Sequence, residues 1–385
     1  TTPEYPASAT TVTFSEGTAT ATAIKLYDAQ STTLKAKEGT IEGTTPTFTI
    51  KAAAATSLNV PTPSEREAGV AFNVTVTAYD PWHNTVKTFA GAKALTWSGP
   101  ASSPGGKAPA YPPTVTFTAG VGTASIKLYD AQSTTLAANE GALEGTTATF
   151  VVKPAATKKL VLATPAEQEA GVSFNEALTA TDEYGNLTPT YTGTKTLSWS
   201  GPATAPNGTT PEYPASATTV TFSEGTATAT AIKLYDAQST TLKAKEGTIE
   251  GTTPTFTIKA STPERFAWSH PEVTAGKLEA GTCPFACVTS SIGNGKKFKA
   301  RASVADRYGN VVTSLAGSHK ATVEKASGEG TLTGASGLTI PSTGLAESAT
   351  VFEYTSPATG TNEAVLRLKA EVGTAYTEAE AHVKY

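Results

Sequence analysis

Residues 68–80 read Ala68-Gly69-Val70-Ala71-Phe72-Asn73-Val74-Thr75-Val76-Thr77-Ala78-Tyr79-Asp80. Val70, Phe72, Val74, Val76 and Ala78 put an apolar side chain at every second position, the period of a strand with one buried face; a helix would repeat near 3.6. Gly69 before the run and Asp80 after it are turn residues that bound it. Lys93, Leu95 and Trp97 continue the same alternation, and further runs fall at 58–60, 115–117, 124–128, 134–136 and 150–152. About seven strands are therefore predicted within 57–152, separated by Gly, Pro, Asn and Asp clusters. The fold class is all-β.

The surrounding sequence repeats. Residues 1–52 recur without a change at 209–260, and Ile24-Lys25-Leu26-Tyr27-Asp28-Ala29-Gln30 returns from Ile126 and from Ile232. A second block runs from Ala68-Gly69-Val70-Ala71-Phe72-Asn73 to Thr96-Trp97-Ser98-Gly99-Pro100, and again from Ala170-Gly171-Val172-Ser173-Phe174-Asn175 to Ser198-Trp199-Ser200-Gly201-Pro202. This phasing predicts complete repeats at 53–155 and 156–260, a diverged domain at 261–385, and at 1–52 the C-terminal half of a repeat without its first half. Short strands at this density predict tandem immunoglobulin-like β-sandwiches. No cysteine pair joins the sheets, so burial must carry the fold. Trp97 and Trp199, with Phe72 and Phe174, are the predicted core, because an indole removes roughly 150–250 Å² from water.

Composition narrows the function classes. Charged residues make up 16% of the chain at a net charge of −4, which argues against nucleic acid as a partner, and 72 threonines favour strands. No apolar stretch approaches the roughly 18 residues of a membrane span, so membrane insertion is not expected. The chain has no methionine, as expected of a processed product or an excised piece.

Three turns share one pattern: Asp80-Pro81-Trp82-His83-Asn84, Asp182-Glu183-Tyr184-Gly185-Asn186 and Asp306-Arg307-Tyr308-Gly309-Asn310. Asp accepts from backbone amides just ahead of it, and Gly or Asn tolerates positive φ, so the reading is a structural turn. A calcium site would want six to eight oxygens where each turn offers one carboxylate and one amide, so no metal is assigned. His83, His270, His319 and His382 lie in four different settings, and neither a nucleophile elbow nor a phosphate-cradling loop is present. No catalytic residue and no cofactor are predicted. Lys93, Lys195 and Lys320 lie in or near strands, where lysine snorkels outward. Asn73, Asn186 and Asn207 head chance glycosylation sequons. The Pro, Gly and Ala-rich connections between Gly99 and Thr114 and between Gly201 and Thr218 are either contact surfaces or passive loops.

The Asp-x-x-Gly-Asn turn after an alternating strand, the entry Ala-Gly-Val and Thr-Trp-Ser-Gly-Pro together resemble the bacterial immunoglobulin-like repeats of invasin- and intimin-type adhesins and long surface proteins. His83 replaces the glycine in one copy, and no Trp-Ser-Gly-Pro follows Asn310. The resemblance implies a location outside the cell, at the cell surface, and a role as stalk, spacer, adhesin or fibre subunit. Cys283-Pro284-Phe285-Ala286-Cys287 would separate its sulfurs by about 13 Å in an extended strand, beyond disulfide reach. In an oxidising setting Pro284 makes the turn needed for a local disulfide; free or intermolecular thiols are the alternative.

Half a core cannot bury itself, so residues 1–52 need completion, either by upstream repeats or by self-association. The leading expectation is a non-enzymatic extracellular structural protein, a surface stalk or a filament or sheath subunit. The alternatives are an adhesin whose 261–385 domain binds a receptor or glycan, and a phage virion fibre or decoration protein.

Overall fold

A computed structural model describes residues 1–6, 11–214, 219–273, 286–289, 291–343, 352–370 and 376–385. Every regular element among them is a strand. The strands form immunoglobulin-like β-sandwiches in tandem, and the chain divides into two compact units, residues 1–157 with 181–188 and residues 158–180 with 189–385.

In the first unit the alternating stretch forms the strand Ala71–Tyr79, with Phe72, Val74, Val76 and Ala78 turned inward. It pairs antiparallel with Val121–Lys127, Phe72 opposite Ile126 and Val74 opposite Ala124. The sheet order is Ser57–Asn59, Ala71–Tyr79, Val121–Lys127, Thr114–Thr118, Gly91–Ala94. Phe150–Lys153 and Ala137–Glu140 belong to two three-stranded sheets, the first including a parallel pairing with Arg66–Glu67. Phe117, Ile126, Leu128 and Leu136 are the largest fully buried side chains of this core. Each contributes about 1.5–3 kcal/mol on burial.

Two features depart from the sequence expectation. The 93–97 run is not one strand: Gly91–Ala94 pairs with Thr114–Thr118, whereas Thr96–Ser98 pairs with Ala137–Glu140. The chain changes sheet at buried Leu95, which leaves Trp97 on an edge strand, half-buried against the flank of the core. Its indole stacks on Tyr111 at 5.8 Å, and Trp199 stacks on Tyr213 at the same distance. The two tryptophans therefore flank their cores, and Leu136 and Leu242 lie at full burial within them. The second departure is an added hairpin, Ala137–Glu140 with Leu143–Thr146. Its polar residues carry no alternation, and only Gly141, at φ 57, marks the turn.

In the second unit Ser173–Thr181 pairs with Thr226–Lys233, with a bulge between Phe174 and Glu176. Thr226–Lys233 has eight residues where Val121–Lys127 has seven, and Ala231 takes φ 59. An extra residue in one strand of a pair bends the ladder locally. Phe174 is consequently half-buried beside its core, while its counterpart Phe72 is buried. Residues 261–385 form a four-stranded sheet around Lys297–Asp306 and a five-stranded sheet around Ala379–Lys384 and Glu363–Ala370. Trp268, Phe298, Phe352 and Tyr354 share their core.

Residues 1–52 have the sequence of 209–260 and, in Ser31–Thr32, Lys35–Glu38, Ile41–Thr44 and Phe48–Thr49, the counterparts of its later strands, but not of its first two. Thr219–Phe222 and Thr226–Lys233 are strands because Gly193–Thr196 and Ser173–Thr181 pair with them. In the copy, residues 11–25 carry isolated bridges, Ser15 to Thr18 and Glu4 to Lys25. Strand formation here follows the neighbour rather than the sequence.

Candidate functional site: a recurring joint

The three Asp-to-Asn turns are built identically. Asp80 Oδ1 accepts from the amides of Trp82 and Asn84, each at 2.9 Å. Its Oδ2 accepts from Asn84 Nδ2 at 2.9 Å and from the Ala53 amide at 3.1 Å. Asn84 then turns its other contacts on the preceding segment: Nδ2 donates to the Tyr27 carbonyl at 2.7 Å, and Oδ1 accepts from the Ala29 amide at 2.9 Å. A side-chain amide offers the same donor and acceptor as a backbone peptide, so Asn84 extends residues 27–29 as a strand would.

The same six bonds recur. Asp182 accepts from Tyr184, Asn186 and Ala155 amides and from Asn186 Nδ2 at 2.8–3.0 Å, and Asn186 bridges Tyr129 and Ala131 at 2.8 and 2.9 Å. Asp306 accepts from Tyr308, Asn310 and Ser261 amides and from Asn310 Nδ2, and Asn310 bridges Tyr235 and Ala237 at 2.8 Å. Two of these joints lie within the first unit and the third within the second. Asp80, Asp182, Asp306, Asn186 and Asn310 are all buried.

Each carboxylate accepts about four hydrogen bonds, the number its two oxygens hold. The donors are N–H groups, joined at Asp306 by the Ser261 hydroxyl at 3.4 Å, so the arrangement stabilises the anion without a cation. Burial pulls Asp80 upward, but the Asn84 side chain and the amides of Asn84, Ala53 and Trp82 outweigh it and hold the carboxyl below its usual range. Asp130 and Asp236, in the segments being held, are raised by burial, and Asp236 also by the charge of Asp306.

Aromatic rings and glycines complete the joint. Tyr184 meets the Tyr129 ring at 5.0 Å, Tyr308 meets Tyr235 at 4.9 Å and Trp82 meets Tyr27 at 5.0 Å. The Tyr184 hydroxyl lies over Gly69, where a Cβ would come within 2.1 Å of it; Tyr308 covers Gly171 at the same distance. The glycine of Ala-Gly-Val is therefore required twice, for its φ near +80° and for this contact. Within the turns Gly185 and Gly309 take φ 86 and 87, and His83 adopts φ 67 in their place.

The long connections, read from sequence as contact surfaces or passive loops, close on these turns. Gly105 donates to the Tyr184 carbonyl at 2.8 Å, and Asn207 donates its amide to the Tyr308 carbonyl at 3.0 Å. Ser103 and Ala205, within these two connections, are buried. Sequence reasoning recognised the turns but not what they hold. The available signal was recurrence: the Tyr-Asp-Ala-Gln segments at 27 and 129 each lie 57 residues before the asparagine that holds them, and the one at 235 lies 75 before its own.

The remaining residues singled out from sequence do not converge. Lys93 Nζ lies 4.7 Å from the Phe89 ring, and Lys195 Nζ lies 4.5 Å from Tyr191, so both reach rings at the strand ends. His319 packs on Tyr376, and His382 contacts Glu363 at 2.8 Å. Asn186 is buried, which closes its sequon to modification in the folded chain. Cys283 lies outside the described residues, so the Cys283–Cys287 pair does too; the backbone of Cys287 runs in Ala286–Val288 beside Ala379–Lys384. Among the described residues no three His, Cys, Asp or Glu side chains group to hold a metal, and no helix is long and apolar enough to cross a membrane.

Comparison with solved structures finds similarity to domains 4–9 of the surface layer protein SbsC, at 15% identity over 86% of this chain and 48% of that one, with a TM-score of 0.22. The chain thus spans about half of that fragment. It is similar to the Yersinia pseudotuberculosis adhesin InvE at 15% identity, over 59% of this chain and 69% of that one, with a TM-score of 0.26. Tandem immunoglobulin repeats of Dlar match at 11% identity, over 54% of this chain and 99% of that one, with a TM-score of 0.16. No family model matches the chain, and no curated protein matches it.

Proposed function

We propose that this chain is a non-enzymatic extracellular structural protein whose sandwiches are fastened in series, serving at the cell surface as a stalk or as a filament or sheath subunit. The observation that carries the reading is the recurrence of one six-bond joint at 80–84, 182–186 and 306–310. Polar groups concentrated in this way hold polypeptide to polypeptide, and every acceptor of the Asp80 carboxylate is occupied by the protein itself. A joint of this kind resists tension along the chain, the requirement of a spacer or fibre.

The test replaces Asn84, Asn186 and Asn310 together by alanine and stretches single molecules. The reading expects unchanged unfolding forces for the sandwiches and an early extra extension at the joints, with a larger and more variable radius of gyration in solution. Identical force traces and scattering for parent and variant would defeat it. Electron microscopy separates the two forms of the proposal: regular polymers identify a filament or sheath subunit, and single particles a stalk. The adhesin reading asks for exposed aromatics on 261–385; among the described residues the large exposed apolar side chains all lie outside that region.

A further inference from the structure

Residues 1–52 and 209–260 are one sequence in two environments. At the second, Val220 is 4% exposed, Phe222 2% and Phe256 5%. At the first, the same residues are Val12 at 37%, Phe14 at 68% and Phe48 at 37%. Chemistry is constant between the copies, so the difference is cover. The cover at 209–260 comes from the preceding half-repeat: Leu160, Leu162, Leu178, Ala180, Tyr191 and Leu197 share its core. Tyr191 meets Phe222 edge-on at 4.8 Å, and Gly193 and Lys195 pair with Phe222 and Val220.

In a second copy of the chain the opening half 156–208 is already covered by its own 209–260, with Gly193–Thr196 paired to Thr219–Phe222. We propose that the apolar face of 1–52 is an acceptor for the opening half of an immunoglobulin-like repeat of the 156–208 type, borne on polypeptide outside residues 1–385. By the register of the complete repeat, the occupant's long strand runs antiparallel to 18–25, placing its Phe174 equivalent opposite Ile24. Its short strand pairs with 11–14, placing its Lys195 equivalent opposite Val12. The inference rests on burial and sequence identity and is independent of the structural role proposed above.

The experiment uses the full chain in two arms. In one, a separate 156–208 fragment is added; in the other, the same sequence is fused directly before Thr1. Hydrogen exchange is read at 11–25, with sedimentation for mass. The proposal expects exchange at 11–25 to slow by about tenfold or more in the fused chain, toward that of 219–233. Protection in the fused chain supports the proposal whether or not the separate fragment binds. Phe14→Asp is expected to leave the melting temperature of the parent chain unchanged and to abolish the protection gained on fusion. Two results overturn the proposal: a parent chain that is already a stable dimer with 11–25 protected, and a fused chain in which 11–25 exchanges as fast as in the parent.

Discussion

The side-chain nitrogen of Asn186 donates to the backbone carbonyl of Tyr129 at 2.8 Å, across 57 residues of sequence. The bond is buried, and its loss leaves a carbonyl and the Ala131 amide without the partner that the native chain gives them. Asn186→Ala is expected to cost about 1–3 kcal/mol in denaturant unfolding of the first unit. Asn73→Ala, on the exposed face of Ala71–Tyr79, is expected to stay within about 0.5 kcal/mol of the parent. Equal effects at the two sites would contradict the joint.

Gly69 and Gly171 each face a tyrosine hydroxyl at a distance no Cβ can share. Gly69→Ala combines that clash with a left-handed backbone and is expected to destabilise by roughly 1–3 kcal/mol. In a Tyr184→Ala background the clash is gone, and the same substitution should cost only the backbone part. A double-mutant cycle by thermal unfolding measures the difference, and strict additivity would show that the ring does not sit on the glycine.

His83 takes the conformation that Gly185 and Gly309 adopt in the sister turns. His83→Gly is expected to stabilise the first unit by about 0.5–1 kcal/mol, since a side chain there is strained and glycine is not. Gly185→His should lose a similar amount. Chemical denaturation of both variants checks the pair of signs.

Glu176 occupies the strand position that Val74 holds in the other repeat, and it is buried, with Oε1 lacking a partner. Burial raises its carboxyl from about 4.5 to about 7, with the Ala163 amide pulling the other way. The folded chain therefore binds this proton more tightly than the unfolded chain does. Its penalty is absent below about pH 4.5, grows as pH rises, and is complete above about pH 7, where it is on the order of 3 kcal/mol. Glu176→Val is expected to raise stability most at pH 8 and little at pH 4.5. Denaturation midpoints of both chains across that range test this; a difference independent of pH would contradict it.

The fold was legible wherever one residue pattern controlled one element. The strand Ala71–Tyr79 lies where its alternation places it, because its burial is set by its own side chains. Trp97 was misplaced because Leu95, two residues earlier, ends the inward run where the chain crosses between sheets. Local alternation cannot report such a crossing. The hairpin ending at Thr146 is not legible because its inward apolar residues are only Ala138 and Leu143, too few to display a period. Phe174 was displaced by one added residue on the facing strand, legible only by counting the two copies against each other. Of the joint, the Asp half follows local turn chemistry and could be read directly. The Asn half bonds residues more than fifty positions away and became visible only in three dimensions.

Amide hydrogen exchange at Ala131 and Ala237 reaches the joint itself, because each amide donates to one asparagine side chain. In the parent chain both amides should exchange slowly. Asn186→Ala should release Ala131 and leave Ala237 protected, and Asn310→Ala should do the reverse. Fast exchange at both sites in the parent, or protection that survives removal of the matching asparagine, would contradict the account.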